Sequence, residues 1–166
     1  FQFPNLGSMD FTEATLILSN FSKKRLKGKI AHIEIAPYRA NYPKFNPYLP
    51  KTAAVLVLLY PIKNETHCIL IERTTYDGQH SGQVSFPGGK KEKTDNSIFE
   101  TALREAWEET NINREDINIV GKLSKLYIPP SNFEVTPVLA FSKSRPNFIA
   151  NQREVLDIIE VKIKDL

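Results

Sequence analysis

Three carboxylates fall within five consecutive positions of the stretch REAWEET: Glu105, Glu108 and Glu109. Like charges at i, i+4 weaken a helix by about 0.2–0.5 kcal/mol per pair, so this grouping asks for a compensating partner. At about 100° per residue, Ile98, Phe99, Ala102, Leu103 and Ala106 share one apolar arc. Glu105 and Glu109 fall at its edge, and Glu108 lies further round. A free carboxylate against a packed face is expensive. A divalent cation would offset it, because hard ions such as Mg²⁺ take carboxylate oxygens and keep waters for substrate phosphates. A purely structural acid cluster is the competing reading of the spacing.

The loop ahead of these acids, FPGGKKEKTDNS, places Gly88 and Gly89 before Lys90, Lys91 and Lys93. The glycines let backbone approach a ligand closely, and the lysines supply positive charge. A glycine loop leading into an acidic helix suggests a pyrophosphate held through a metal. The pattern GxxxxGK is absent, so this is not a P-loop.

Elements must position these groups. Residues 10–26 read as an N-terminal helix, and the basic run at 23–29 as its solvated end. The four prolines of residues 37–50 mark an irregular connector. TAAVLVLLYP (52–61) is a continuous apolar run, expected to be a strand buried on both faces. HCILIER (67–73) follows, then a short strand at 82–89, a helix over about 97–110, and strands at 117–128, 134–142 and 156–163. Strands interrupted by one long helix predict an α+β domain of the α/β/α sandwich type. Trp107 points away from both the apolar arc and the acids, and is expected to cover the helix against another layer or a partner chain.

At this point GGKKEKTDNSIFETALREAWEETNI resembles the Nudix box, G-x5-E-x7-R-E-U-x-E-E-x-G-U with U apolar. Arg104, Glu105, Ala106, Glu108, Glu109 and Ile112 fill its second half, and Gly89 is its leading glycine. Asp95 stands at the first glutamate, with one extra residue before Arg104. Asn111 replaces the closing glycine and can take the same left-handed conformation. The insertion is similar to the branch of Nudix hydrolases that cleaves coenzyme A. So is LIERTTYDGQHSGQVSFPGG, where Leu70, Ile71, Arg73, Gly82, Phe86, Pro87, Gly88 and Gly89 match and Gly78 replaces an arginine. YIPPSNFEVTP (127–137) also looks like this branch.

The resemblance implies a Nudix fold, a mixed β-sheet with the Nudix loop-helix-loop, and metal-dependent hydrolysis of the pyrophosphate of coenzyme A or its thioesters. The implied cofactor is Mg²⁺ or Mn²⁺. Glu105, Glu108, Glu109 and the Gly89 carbonyl are the implied ligands, and Arg104 orients a glutamate. Arg73, Gly88, Lys90, Lys91 and Phe133 are the expected substrate contacts. Glu134 and Glu154 are candidate general bases, each also readable as a surface acid, and His80 as a polar loop residue. A Nudix pyrophosphatase for ADP-ribose, NADH or an oxidised dNTP is the nearest rival, followed by a non-catalytic nucleotide sensor.

Composition bounds the rest. The chain has 166 residues, enough for one domain. Residues 1–8, ahead of Met9, read as an appended leader, leaving a single domain over 9–166 whose natural chain is expected to continue past Leu166. A net charge of +3 and the lack of aromatic-basic interleaving argue against nucleic acid. No apolar run reaches the roughly 20 residues of a membrane helix. Cys68 is the single cysteine, which excludes an internal disulfide and fits a cytoplasmic setting. The expected partner is a small-molecule nucleotide, with a homodimer allowed.

Overall fold

The computed structural model describes residues 11–20, 28, 48–74 and 82–166. Residues 1–8, most of the basic run at 23–29 and the proline-rich connector, and Gly78 and His80 lie outside the described residues.

One mixed sheet organises the chain. Its strands are β1 (Lys51–Ile62), β2 (Glu65–Arg73), β3 (Val84–Ser85), β4 (Gly88–Lys90), β5 (Asn118–Lys122), β6 (Leu126–Ile128), β7 (Phe133–Phe141) and β8 (Val155–Lys162). Among the described residues the α-helices are α1 (Phe11–Ser19), ahead of β1, and α2 (Ile98–Thr110), between β4 and β5. β1 runs parallel to β7 along one edge, from Lys51 opposite Phe133 to Leu59 opposite Phe141. All other pairings among the described residues are antiparallel.

A fork in the sheet creates the site. The last residues of β1, Leu59–Ile62, pair with the start of β2 through a turn in which Lys63 and Asn64 take positive φ. The far half of β2 then pairs with β3, and the near half of β1 with β4. The FPGG loop therefore fills the wedge between two diverging strands.

Ala54, Leu56, Leu58 and Tyr60 on one face of β1 pack with Ala102, Leu103 and Ala106 of α2, and with Ile69, Ile112, Val138 and Ala140. Val55, Val57 and Leu59 on the other face are only half-buried. The expectation of burial on both faces thus holds for one. On the second face, Phe11 of α1 meets Phe141 edge-on, with ring centroids 6.5 Å apart. Two helices on opposite faces of the sheet give the α/β/α layering. The expected strand at 117–128 is broken at 123–125 into β5 and β6, both antiparallel to β7.

Candidate active site

α2 begins and ends as its sequence dictates. The Ser97 hydroxyl accepts from the Glu100 N–H at 3.2 Å, capping the first turn. Asn111 closes the helix in the left-handed region with φ 55, its N–H donating to the Trp107 carbonyl. Between these ends the apolar arc docks on β1 and carries the acids to the FPGG wedge.

Glu109 is fully buried. Its Oε2 accepts from the Gly88 N–H at 2.8 Å, and its Oε1 lies 3.1 Å from Arg73 Nη1. That ion pair is not aligned as a hydrogen bond, so Oε1 is a buried oxygen without one. Burial pushes the Glu109 carboxyl up to about 7, against the pull of Arg73 and the Gly88 N–H. Glu105 and Glu154 push in the same direction as burial. Glu105 is also raised, first by burial, with Arg104 opposing and Glu108 and Glu154 adding to the rise.

The two glycines are spatially required, for different reasons. A methyl group on Gly88 would run into the Ala54 carbonyl and the Val55 backbone. One on Gly89 would sit 2.5 Å from the Glu105 carboxyl carbon. Backbone and carboxylate share that space only because a Cβ is missing.

Arg104 is the hub of the loop. Its Nε donates to Asp95 Oδ1 at 3.0 Å and its Nη2 to Asp95 Oδ2 at 3.1 Å, a bidentate pair. It also donates to Glu108 Oε2 at 3.0 Å and to the Lys90 carbonyl at 3.1 Å, and lies 3.1 Å from Glu105 Oε1. Asp95 accepts in addition from the Glu92 N–H and the Thr101 hydroxyl. Hydrogen bonding from Arg104 holds the Asp95 carboxyl well below the usual carboxylate range. Asp95 thus staples the loop to the helix, a role its place at the box's first glutamate did not disclose.

The other expected residues divide. Arg73 is at the centre, paired with Glu109. Lys90 has an exposed side chain. Lys91 does not point freely at a ligand: its ammonium donates to the Asp95 and Glu92 carbonyls. Phe133 stacks under the Lys51 ammonium, 5.5 Å from its ring centroid, and Tyr127 donates to Asn132. Glu134 is taken up by Lys125 at 2.6 Å. Cys68 is buried, its thiol pushed up to about 11 by that burial, so it is inert.

Glu154 stands apart from Glu134. The β2–β8 register puts Arg73 opposite Val155, and the Thr74 N–H donates to the Glu154 carbonyl at 3.0 Å. This brings Glu154 beside Glu105 and Glu109. Among the described residues its carboxylate has no hydrogen bond or ion pair.

Among the described residues, no three His, Cys, Asp or Glu side chains form a ready-made metal cage. Arg73 and Arg104 hold the acids instead. The residues nevertheless fit a cation. Four acids (Asp95, Glu105, Glu108 and Glu109) share two guanidiniums, Glu154 adds its negative charge to Glu105 and Glu109, and one buried carboxylate oxygen is left without a hydrogen bond.

Comparison with known proteins agrees with the geometry. The family model of the NUDIX domain matches residues 50–163. A protein of Pectobacterium atrosepticum called an uncharacterized Nudix hydrolase NudL is 41% identical over 116 residues, which are 69% of this chain and 59% of that relative. This chain therefore spans less than two thirds of that relative's length. Among solved structures, a Nudix hydrolase from M. smegmatis, RenU, superposes with a TM-score of 0.59 at 21% identity, covering 70% of this chain and 75% of that one. The NUDIX domain of Shewanella oneidensis NrtR, complexed with ADP ribose, superposes with a TM-score of 0.54 at 21% identity, covering 78% and 84%. These structural likenesses speak to the fold, and together with the match over residues 50–163 they identify this chain as a member of the NUDIX domain family.

Proposed function

We propose that this chain is a metal-dependent pyrophosphohydrolase that splits coenzyme A or its thioesters into 3′,5′-ADP and a 4′-phosphopantetheine species. The observation that carries the hydrolase reading is Glu109, a fully buried carboxylate with an oxygen left without a hydrogen bond, beside Glu105. The support for coenzyme A is the extra residue between Asp95 and Arg104 together with the upstream element ending in FPGG.

Glu105, Glu108, Glu109 and the Gly89 carbonyl would hold Mg²⁺ or Mn²⁺, which when bound neutralises phosphoanhydride charge and acidifies water. The chain's own residues do the rest. Arg104, fixed by Asp95, orients Glu105 and Glu108. Arg73 and the Gly88 N–H keep Glu109 in place. Glu154 takes the proton of the attacking water, as an exposed carboxylate with no competing partner among the described residues. The water oxygen bonds to phosphorus, the bridging P–O bond breaks, and the bridging oxygen leaves with the departing phosphate. Lys90 and Phe133 are the remaining substrate contacts.

Gly78, which stands where the coenzyme A branch has an arginine, favours a second reading. This is a Nudix pyrophosphatase for another nucleoside diphosphate derivative such as ADP-ribose, the ligand of the NrtR domain. Incubation with Mg²⁺ or Mn²⁺ and a panel of coenzyme A, ADP-ribose, NADH and oxidised dNTPs, with the products separated, decides between them. Preferential release of 3′,5′-ADP supports coenzyme A. Preference for another substrate moves the assignment, and binding without turnover makes the domain a nucleotide sensor.

A further inference from the structure

An open cleft of 460 Å³ lies between the end of α2 and residues 149–154, against the acid cluster. Trp107, Ile149 and Ala150 give it apolar walls, and Asn111 and Asn151 border it with amides. Glu108 and Glu154 form the wall toward the acids. Trp107 and Ile149 are each 56% exposed, large apolar groups turned toward solvent at the edge of a hydrolytic site.

The walls are fixed in place. The Ile149 N–H donates to the Thr110 carbonyl at 2.9 Å, and the Asn151 N–H to the Glu109 carbonyl at 3.0 Å. These carbonyls belong to the last turn of α2, which has no intrahelical donors for them. The helix end and residues 149–151 are thus joined by backbone, and the cleft is of a size typical for ligand sites.

Its chemistry is selective. Two carboxylates and no Lys or Arg line it among the described residues. Beyond the cation proposed at Glu108, a phosphate placed there would meet the Glu154 carboxylate and no Lys or Arg among the described residues. An uncharged chain carrying amides would find apolar walls and two amide side chains to pair with.

We propose that this cleft receives the uncharged, amide-bearing arm of the substrate, the pantetheine side of a coenzyme A-type molecule. It thereby sets which way the substrate lies across Glu105 and Glu109. The inference rests on the coenzyme A reading above. The nucleoside, whose 3′-phosphate the cleft repels, then lies toward Arg104 and Lys90, one turn back along α2.

Trp107 is the single tryptophan of the chain, so its emission reports on the cleft alone. The intact protein with Mg²⁺ is titrated with pantetheine and, separately, with 3′,5′-ADP. Pantetheine is expected to shift the emission saturably to shorter wavelength, while 3′,5′-ADP leaves it in place. Trp107→Ala is expected to raise KM for coenzyme A about tenfold, with kcat within about twofold. A shift with 3′,5′-ADP but not pantetheine puts the nucleoside in the cleft and overturns the proposal. So does a Trp107→Ala variant with unchanged KM. If coenzyme A is hydrolysed but pantetheine leaves Trp107 unmoved, the cleft assignment fails alone. If pantetheine moves Trp107 but coenzyme A is not hydrolysed, the substrate reading fails and the arm site stands.

Discussion

The Gly88 N–H donates to the Glu109 carboxylate at 2.8 Å, while its Cα lies so close to β1 that a side chain there would meet the Ala54 carbonyl and the Val55 backbone. Strand β4 thus holds a buried acid by its backbone while lying against β1. Gly89 beside it leaves room for Glu105. The two glycines are therefore expected to fail differently. Gly88→Ala drives a methyl group into backbone and should destabilise the fold by about 2–3 kcal/mol. Gly89→Ala meets only the movable end of Glu105. Its stability should stay within about 1 kcal/mol of wild type, while kcat falls roughly 100-fold through misplacement of the acid. Thermal melts and turnover on both variants check this. Equal melting losses would mean that Glu105 cannot move aside.

The buried Glu109 makes the metal-free protein sensitive to pH. Its carboxyl is raised from 4.5 to about 7 in the folded chain. Between those values the folded state keeps a proton that the unfolded state releases. Stability is therefore highest below the unfolded value and falls as pH rises through the folded one. The loss is on the order of 3 kcal/mol. A cation at Glu109 competes with that proton, so Mg²⁺ or Mn²⁺ should raise Tm more at pH 8 than at pH 5.5. An equal rise at both would place any bound cation elsewhere.

Asp95 works with the opposite sign. Its folded carboxyl is depressed, chiefly by the hydrogen bonds from Arg104, so its stabilisation is present above the ordinary value of 3.8. It is lost as pH falls through the depressed value. Asp95→Asn should cost about 1–3 kcal/mol at pH 6 and flatten the acid limb of the stability curve. Urea denaturation at pH 3 and pH 6 measures both effects, and an unchanged acid limb would assign that limb to other carboxylates.

How far the sequence could be read follows from what is local. The apolar arc of α2, the Asn111 terminus and the placing of Glu109 at the packed edge all depend on residues within a few turns of one another. Each agrees with the structure. The parallel pairing of β1 with β7 joins residues some eighty positions apart, and no pattern within either strand encodes it. Charge alone makes Lys91 an expected phosphate contact; the Asp95 and Glu92 carbonyls that accept from its ammonium are a product of the loop's fold. Glu154 and Glu134 were equivalent as letters. What separates them is that Lys125 reaches one, while the β2–β8 register carries the other to the acids.

Glu154 and Glu109 are also separable by experiment. Glu109→Gln keeps an acceptor for the Gly88 N–H but removes the charge that would bind a cation. It should lower kcat at least about 1,000-fold and abolish the Mg²⁺-dependent rise in Tm, with the fold intact by circular dichroism. Glu154→Gln removes a carboxylate that takes no part in the packing of α2. If Glu154 receives the water proton, kcat should fall about 100- to 10,000-fold, while the Mg²⁺-dependent rise in Tm stays within the wild-type range. Loss of the Tm rise in Glu154→Gln would make Glu154 a cation ligand instead. Wild-type kcat in that variant would return the base to α2 or to residues 75–81, beyond the described ones.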